Sequence, residues 1–514
     1  MSYRLYGGEI LLKDLWDPYQ LSAIFMLPVF FLKDIISLLG IATPDIILLN
    51  RIVGGTIHIT VSFFVYIIFK KYISKKYSYI GFLTYLLILP KQTLIIDHSN
   101  LMNWFSTIMI LLLFLYIKSN KLSYLVCSSV FLALTVLSYP TQAVLLLFIN
   151  VFLVTHKNKS AAIVYTGICC VLGMLFVFYL GFNIGFENIL YNVQMILREG
   201  SHQTDTINRV TQTTLSFIII MAFNLLFACV MAKLTIVLTK KKHNYIYIYA
   251  YIVMFWSISI IGYFIIGRVW PPLAMYRRYL IFSLIGFMLI YKKSNYNNEK
   301  ELTIFAIPIC MAIICLFTSN QGIDSASGIL GLSVSFVFVK NLDIYDFESN
   351  FASIEIFLKK IVILFFIVSQ CTLMALSARV SKTPGYSIFK LVKSETNALH
   401  YTYTTPENNK LFIEMESLEN ELHNKNVLYI GRDSIFYLLT NSCVDAPLTI
   451  STPFYDQQWV EYYERKENPD YIVIHKNEFE TIEKFDRNVL GHYLLMDNYI
   501  KIQESENLIV LLKN

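Results

Sequence analysis

DIILLNRIVGGTIHITVSFFVYIIFKKYISKK, residues 45–76, is the stretch that decides the fold. Arg51 stands near the start of an apolar run that reaches Phe69, and Lys70, Lys71, Lys75 and Lys76 follow it. About 20 largely apolar residues cross the hydrocarbon core of a bilayer, and lysine-rich loops mark its cytoplasmic side. The stretch therefore predicts a span over 44–69 that runs from outside to inside. Onward from it, alternate short loops repeat the lysine signature: Lys118 and Lys121; Lys157 and Lys159; Lys240 to Lys242; Lys292, Lys293 and Lys300. The arginines Arg51, Arg198, Arg209, Arg268, Arg277 and Arg278 sit on the other side. Arginines held there oppose the positive-inside bias, and a guanidinium fork suits phosphate.

Twelve spans are expected: about 44–69, 78–95, 100–118, 122–138, 140–156, 160–181, 213–238, 244–267, 277–291, 301–317, 322–340 and 358–379. Alternation places 90–100, 182–212, 268–276 and 318–322 outside and returns the chain to the outside near residue 380. The apolar share of 56% and mean hydropathy of +0.54 exclude an ordinary soluble protein. A net charge of +6 does not point to nucleic acid, because the lysines already follow the topology and no basic stripe is interleaved with aromatics. Seven of the eight cysteines lie in apolar runs, where cysteine behaves as a small hydrophobe; Cys443 alone lies in the polar tail. Neither a disulfide framework nor a CxxC pair is present, and the polar start MSYRLYGGEILLKDLWDPYQ does not read as a cleavable signal.

Residues 381–514 change character. Residues 407–423 read as helix, NVLYIG (426–431) as a buried strand, DSIFYLL (433–439) and QWVEYYERKE (458–467) as helices. DYIVIH (470–475) reads as another strand, with YIKIQ and LIVLLK as a closing pair. This alternation predicts a small α/β domain with a mostly parallel sheet. Gly431 ends a strand, but without a GxGxxG pattern nucleotide binding is not expected. Residues 1–43 form a third part, external and juxtamembrane. The run LSAIFMLPVFFLKDIISLLG is interrupted by Pro28, Lys33 and Asp34, so its apolar core, 21–32, suits an interfacial or re-entrant segment. If it does not span, the chain begins outside with nothing to carry it there. Either it is a poor thirteenth span or a first helix is missing.

Gly7-Gly8-Glu9-Ile10-Leu11-Leu12-Lys13-Asp14-Leu15-Trp16-Asp17-Pro18 resembles the G-x-I-x-Y-x-D-x-x-x-P-P segment that follows the first membrane helix of GT-C glycosyltransferases of the family 39 type. That group includes protein O-mannosyltransferases and the aminoarabinose transferase of lipid A. There the segment continues as a juxtamembrane helix, here 20–40, and then a helix that opens with an arginine, here Asn50-Arg51. Asp97-His98-Ser99-Asn100, Ser138-Tyr139-Pro140-Thr141 and Tyr276-Arg277-Arg278-Tyr279 are similar to later features of the group, and bacterial members carry an α/β tail. The resemblance implies a GT-C-like polytopic helical membrane protein of 12–13 spans with an extracytoplasmic α/β domain, in a bacterial plasma membrane. It implies inverting sugar transfer from a polyprenyl-phosphate-linked donor to a glycan, lipid or protein acceptor. One departure stands: the group's acidic pair, just after its first helix, is absent. A shortened start or a catalytically silent relative would explain that.

Such transfer requires a carboxylate to take the acceptor proton, and cations or a divalent metal to stabilise the leaving phosphate. Arg268, Arg277 and Arg278 flank an external loop with Trp270-Pro271-Pro272 and are candidates for the carrier phosphate, or else snorkel to lipid. Arg51 is a carrier contact or a partner for Asp45. Asp14 and Asp17 are the acids nearest the implied catalytic position, with helix capping as their ordinary role; Glu9 is a weaker candidate. Asp97 and His98 are candidates for a metal or an acceptor contact. Asp324 edges a span. The amphipathic pattern over 187–199, close to Arg198, His202 and Arg209, predicts an interfacial helix, either a lid or a loop resting on the bilayer.

Three further readings compete. An O-antigen-type polymerase would not need the α/β tail. A lipid-linked sugar transporter predicts internal repeats and mid-membrane charges. A catalytically silent relative would bind a carrier or a partner, and only the absent acidic pair favours it.

Overall fold

The structure is a computed structural model. It describes residues 1–17, 19–40, 45–88, 94–156, 158–198, 206–239, 245–266, 273–294, 301–319, 328–346, 353–377, 390–449, 457–482 and 499–514. The chain is mainly helical, and each of the twelve expected apolar segments contains helix, from Ile46–Tyr72 to Ser353–Ser377. By length and hydropathy, five helices among the described residues can cross a membrane: Gln20–Leu38, Ile46–Tyr72, His98–Ser119, Lys159–Ile184 and Val210–Val237. The first was read as an interfacial or re-entrant segment or a poor thirteenth span. It is a 3-10 turn, Gln20–Met26, continued as an α-helix, Leu27–Leu38, with Pro28 in the first turn where its missing N–H costs nothing.

The chain divides into two compact units, discontinuous in sequence. One comprises 1–51, 174–204 and 389–514; the other comprises 52–173 and 205–388. The linear reading into 1–43, 44–380 and 381–514 left the 174–204 segment with the spans.

The helical unit is organised around helix Ile329–Asp346, which is buried on nearly every side, as its continuous apolar character demands. Small residues allow close approach to it. A Cβ on Gly286 would lie 2.1 Å from Val337 Cγ1, and Asn341 Nδ2 donates to Gly286 O at 3.1 Å. Helices His98–Ser119 and Leu122–Ser138 join through Asn120, whose φ of 55° makes the left-handed turn. Gly54 faces backbone: a Cβ there would lie 2.3 Å from Leu94 O. Gly54→Ala is expected to cost about 1–3 kcal/mol because main chain cannot rotate away. Gly55→Ala, whose Cβ meets only Leu94 Cδ1 at 3.9 Å, should be near neutral. Thermal unfolding of the two variants in detergent checks this; equal melting would refute the close approach.

The other unit contains two sheets. β1 (Val392–Lys393) pairs antiparallel with β2 (Tyr403–Thr404). A five-stranded sheet has the order β4-β3-β5-β7-β6, with β3 Asn426–Ile430, β4 Cys443–Val444, β5 Tyr471–His475, β6 Tyr499–Glu504 and β7 Leu508–Lys513. Pairs β3–β4 and β3–β5 are parallel, whereas β5–β7 and β6–β7 are antiparallel. The sheet is therefore mixed, not mostly parallel. The short turn between β6 and β7 admits only a hairpin, and β7 rather than β6 joins β5. The helix expected over 433–439 is Phe436–Thr440, stopped at Asn441 in the left-handed region.

Trp16 lies in the core of this unit although it is remote in sequence from the sheet. It is 1% exposed, packs edge-on against Tyr462 at 5.2 Å, and its backbone N–H donates to Pro447 O at 2.9 Å. Its indole Nε1 donates to Asn192 Oδ1 at 2.6 Å, from helix Phe186–Arg198. That helix buries Asn192 and Met195 and leaves Phe186, Leu190, Val193 and Leu197 exposed. Ile196 packs on the core, whereas Leu190, Val193 and Leu197 stay exposed, as an interfacial helix requires.

Candidate functional site

A cavity of about 550 Å³ opens in the unit that holds the α/β sheet, within the roughly 300–1,000 Å³ usual for small-molecule sites. Several short stretches of sequence build it. Helix Ser2–Tyr6 and helix Leu27–Leu38 supply Tyr3, Tyr6, Phe30, Lys33 and Asp34. Asp45 and Ile46 begin the next helix, and the stretch after β1 supplies Asn397, His400 and Tyr401.

Lys33 and Asp34 interrupt the apolar run because this end of the helix faces polar partners. Tyr6 Oη donates to Asp34 Oδ2 at 2.6 Å, and the Tyr6 ring stacks on Phe30 at 5.0 Å. That hydrogen bond, with some burial, holds the Tyr6 phenol above its ordinary pKa. Asp45 is buried; its Oδ1 accepts from Leu48 N at 2.6 Å, capping the helix, and its Oδ2 accepts from Tyr401 N at 3.1 Å. Asp45 thereby ties residues 45–51 to the tail. Lys393 Nζ lies 3.2 Å from His400 Nε2.

Beside the cavity, Arg4 is 2% exposed and binds Glu9, with Nε to Oε2 at 2.6 Å. Its Nη2 donates to Asp14 O at 2.8 Å. Burial pushes the Glu9 carboxyl above its ordinary range, against the pull of the Arg4 guanidinium. Lys466 Nζ pairs with Asp445 at 2.9 Å; burial alone would lower this ammonium, but Tyr462 and Asp445 hold it above its ordinary value.

The residues singled out from the sequence are dispersed. Asp14 Oδ2 accepts from Ile10 N at 2.9 Å, and Asp17 Oδ1 accepts from Tyr19 N at 2.8 Å, so both hold local turns. The first of these turns includes Leu12 at φ 57°, a conformation leucine rarely takes. Gln20 Oε1 accepts from Leu12 N at 2.7 Å and fixes it. Arg51 is exposed, and Asp45 binds backbone N–H groups instead of it, which removes Arg51 as the partner of Asp45. Asp97 is the N-cap of helix His98–Ser119, accepting from Asn100 N at 2.7 Å, and His98 lies 6.0 Å from the Tyr139 ring. Among the described residues no group of three or more His, Cys, Asp or Glu comes together to hold a metal. Arg268, Trp270, His202 and Asp324 lie outside the described residues. Of Arg198, Arg209, Arg277 and Arg278 only the helical backbone is described; the last two fall in the second turn of Leu273–Ser294.

Sequence reasoning missed Arg4, Tyr6, His400 and Tyr401. The interruption at Lys33 and Asp34 was visible, but its partners lie 28 residues upstream for Asp34 and in the tail for the rest of the wall. It also missed His58, which is buried in the helical unit. Its Nδ1 accepts from Trp104 Nε1 at 3.2 Å and its Nε2 lies 3.0 Å from Leu86 O, a fully partnered core histidine. No protein-family model and no curated protein matches this sequence.

Proposed function

We propose that the chain is a GT-C-type membrane glycosyltransferase that moves a sugar, with inversion, from a polyprenyl-phosphate-linked donor to an extracytoplasmic glycan, lipid or protein acceptor. One observation carries this reading. The lysine pattern assigns residues 1–43, the 182–212 loop and the tail to one side of the membrane, and residues 1–51, 174–204 and 389–514 form one compact unit. Segments on opposite sides of a bilayer cannot share a core, so the shared core of Trp16, Met195 and the sheet supports that topology. The stretch 7–18, which resembles the juxtamembrane segment of such enzymes, runs through this unit. Arg277 and Arg278 are the groups proposed to meet the carrier phosphate, with Arg51 and Arg268 as further cations on that side.

A second reading, a carrier-binding relative without transfer, is favoured by the engagement of Asp14 and Asp17 in local turns. The two separate in one assay. The full chain in nanodiscs is given a panel of polyprenyl-phosphate monosaccharides and a membrane-extract acceptor, and released polyprenyl phosphate is measured. Transfer predicts release above empty nanodiscs for one donor at least; binding without release supports the second reading and removes the first. Arg277→Ala with Arg278→Ala is expected to weaken polyprenyl-phosphate binding at least tenfold, as the loss of charge-assisted hydrogen bonds implies. Unchanged affinity would remove the arginines from the site.

A further inference from the structure

We infer that the cavity lined by Tyr6, Lys33, Asp34, Asp45, His400 and Tyr401 is a binding site for a neutral glycan. The charge of the wall comes first. It holds one lysine, Lys33, against two carboxylates, Asp34 and Asp45. A phosphate or sulfate group needs an excess of cations, and this wall lacks one. A small cationic ligand would meet Lys33 beside Asp34. A neutral polyhydroxyl ligand has no such conflict: its hydroxyls both donate and accept. Asp34 and Asn397 offer acceptors, and Lys33 and Asn397 offer donors.

The apolar part of the wall fits the same ligand. Tyr6 and Tyr401 remain 40% and 47% exposed although they line the cavity. Exposed aromatic rings with a polar edge suit a partner that is apolar on one face and wet at its rim, as a sugar ring is. Tyr401 is also held in place without using its side chain: its backbone N–H donates to buried Asp45. The Asp34 carboxylate is oriented by Tyr6 Oη from one side, so the site is preformed.

Binding of the glycan stands on this geometry alone; naming it as the acceptor rests on the transferase reading. The test uses the full chain in nanodiscs on an array of neutral and anionic glycans, with empty nanodiscs as control. Neutral glycans are expected to bind. Asp34→Asn, which removes a charged acceptor, and Tyr401→Ala, which changes only an exposed side chain, should each weaken the strongest hit about tenfold. The inference is overturned if no neutral glycan binds, if anionic glycans bind in preference, or if both variants bind as wild type does. Because Tyr401→Ala leaves the backbone bond to Asp45 intact, misfolding does not obscure the result. Glycan binding that persists without any release of polyprenyl phosphate removes the transferase reading alone; release that persists without glycan binding removes this inference alone.

Discussion

Trp16→Ala is expected to lower the stability of the unit that contains the α/β sheet by about 3–5 kcal/mol, the usual loss for a buried tryptophan. Trp16 is 1% exposed and touches both remaining parts of the unit: Tyr462 and Pro447 in the tail and Asn192 in helix Phe186–Arg198. Its removal leaves a cavity among these segments and orphans a buried amide oxygen. Hydrogen exchange by mass spectrometry is the measurement. Amides of β3 and β5, the central strands, should exchange about a hundredfold to several thousandfold faster. Trp16→Phe keeps most of the packing and loses the bond to Asn192, so its effect should be smaller. If β3 and β5 keep wild-type protection in Trp16→Ala, the tail folds without the N-terminal segment.

The second large effect is expected at Arg4. Its side chain is 1% exposed and that of Glu9 is 23% exposed. Removing one partner of a buried ion pair costs roughly 3–5 kcal/mol; the partial exposure of Glu9 puts Arg4→Met near the lower end, about 3 kcal/mol at neutral pH. The loss has a sign with pH. Burial already holds the Glu9 carboxyl above its ordinary range, and losing the guanidinium raises it further. A folded state that binds a proton more readily than the unfolded chain gains stability as pH falls from above the folded pKa toward the unfolded one. The Arg4→Met deficit should therefore shrink between pH 7 and pH 5, and adding Glu9→Gln should abolish that recovery. Thermal unfolding across this pH range checks it; a deficit equal at both ends would show that Glu9 is not the uncompensated charge.

The helical segments were legible because each carries its own signal, a long apolar run bounded by charge. Strands β3 and β5 were legible for the same reason: NVLYI and YIVIH are short apolar runs between turn residues. The direction of strand pairing was not, since no local pattern states that β7 inserts between β5 and β6. The amphipathic character of 187–199 was read correctly as a helix, but the burial of Asn192 within it was not legible. Periodicity ranks residues by apolarity, whereas Asn192 is buried because Trp16 offers it an indole N–H.

The site shows the same division. Residue type marked Asp14, Asp17 and Asp97 as candidates, and the structure shows each of them binding backbone N–H groups of its own segment. Lys33 and Asp34 stood out in an apolar run, but the cavity they line needs Tyr6, Asp45 and Tyr401 as well.

By itself the sequence determined that this is a helical protein suited to a membrane, where each apolar run ends, and that an α/β tail follows. Those properties follow from local composition, because hydrocarbon burial and backbone hydrogen bonding are satisfied helix by helix. Only the tertiary structure decided that residues 1–51, 174–204 and 389–514 share a core, and that Lys33, Asp34 and Tyr401 face one cavity. The reason is physical: a buried indole or carboxylate takes whatever partner the fold brings to it, and that partner leaves no periodic trace in either segment.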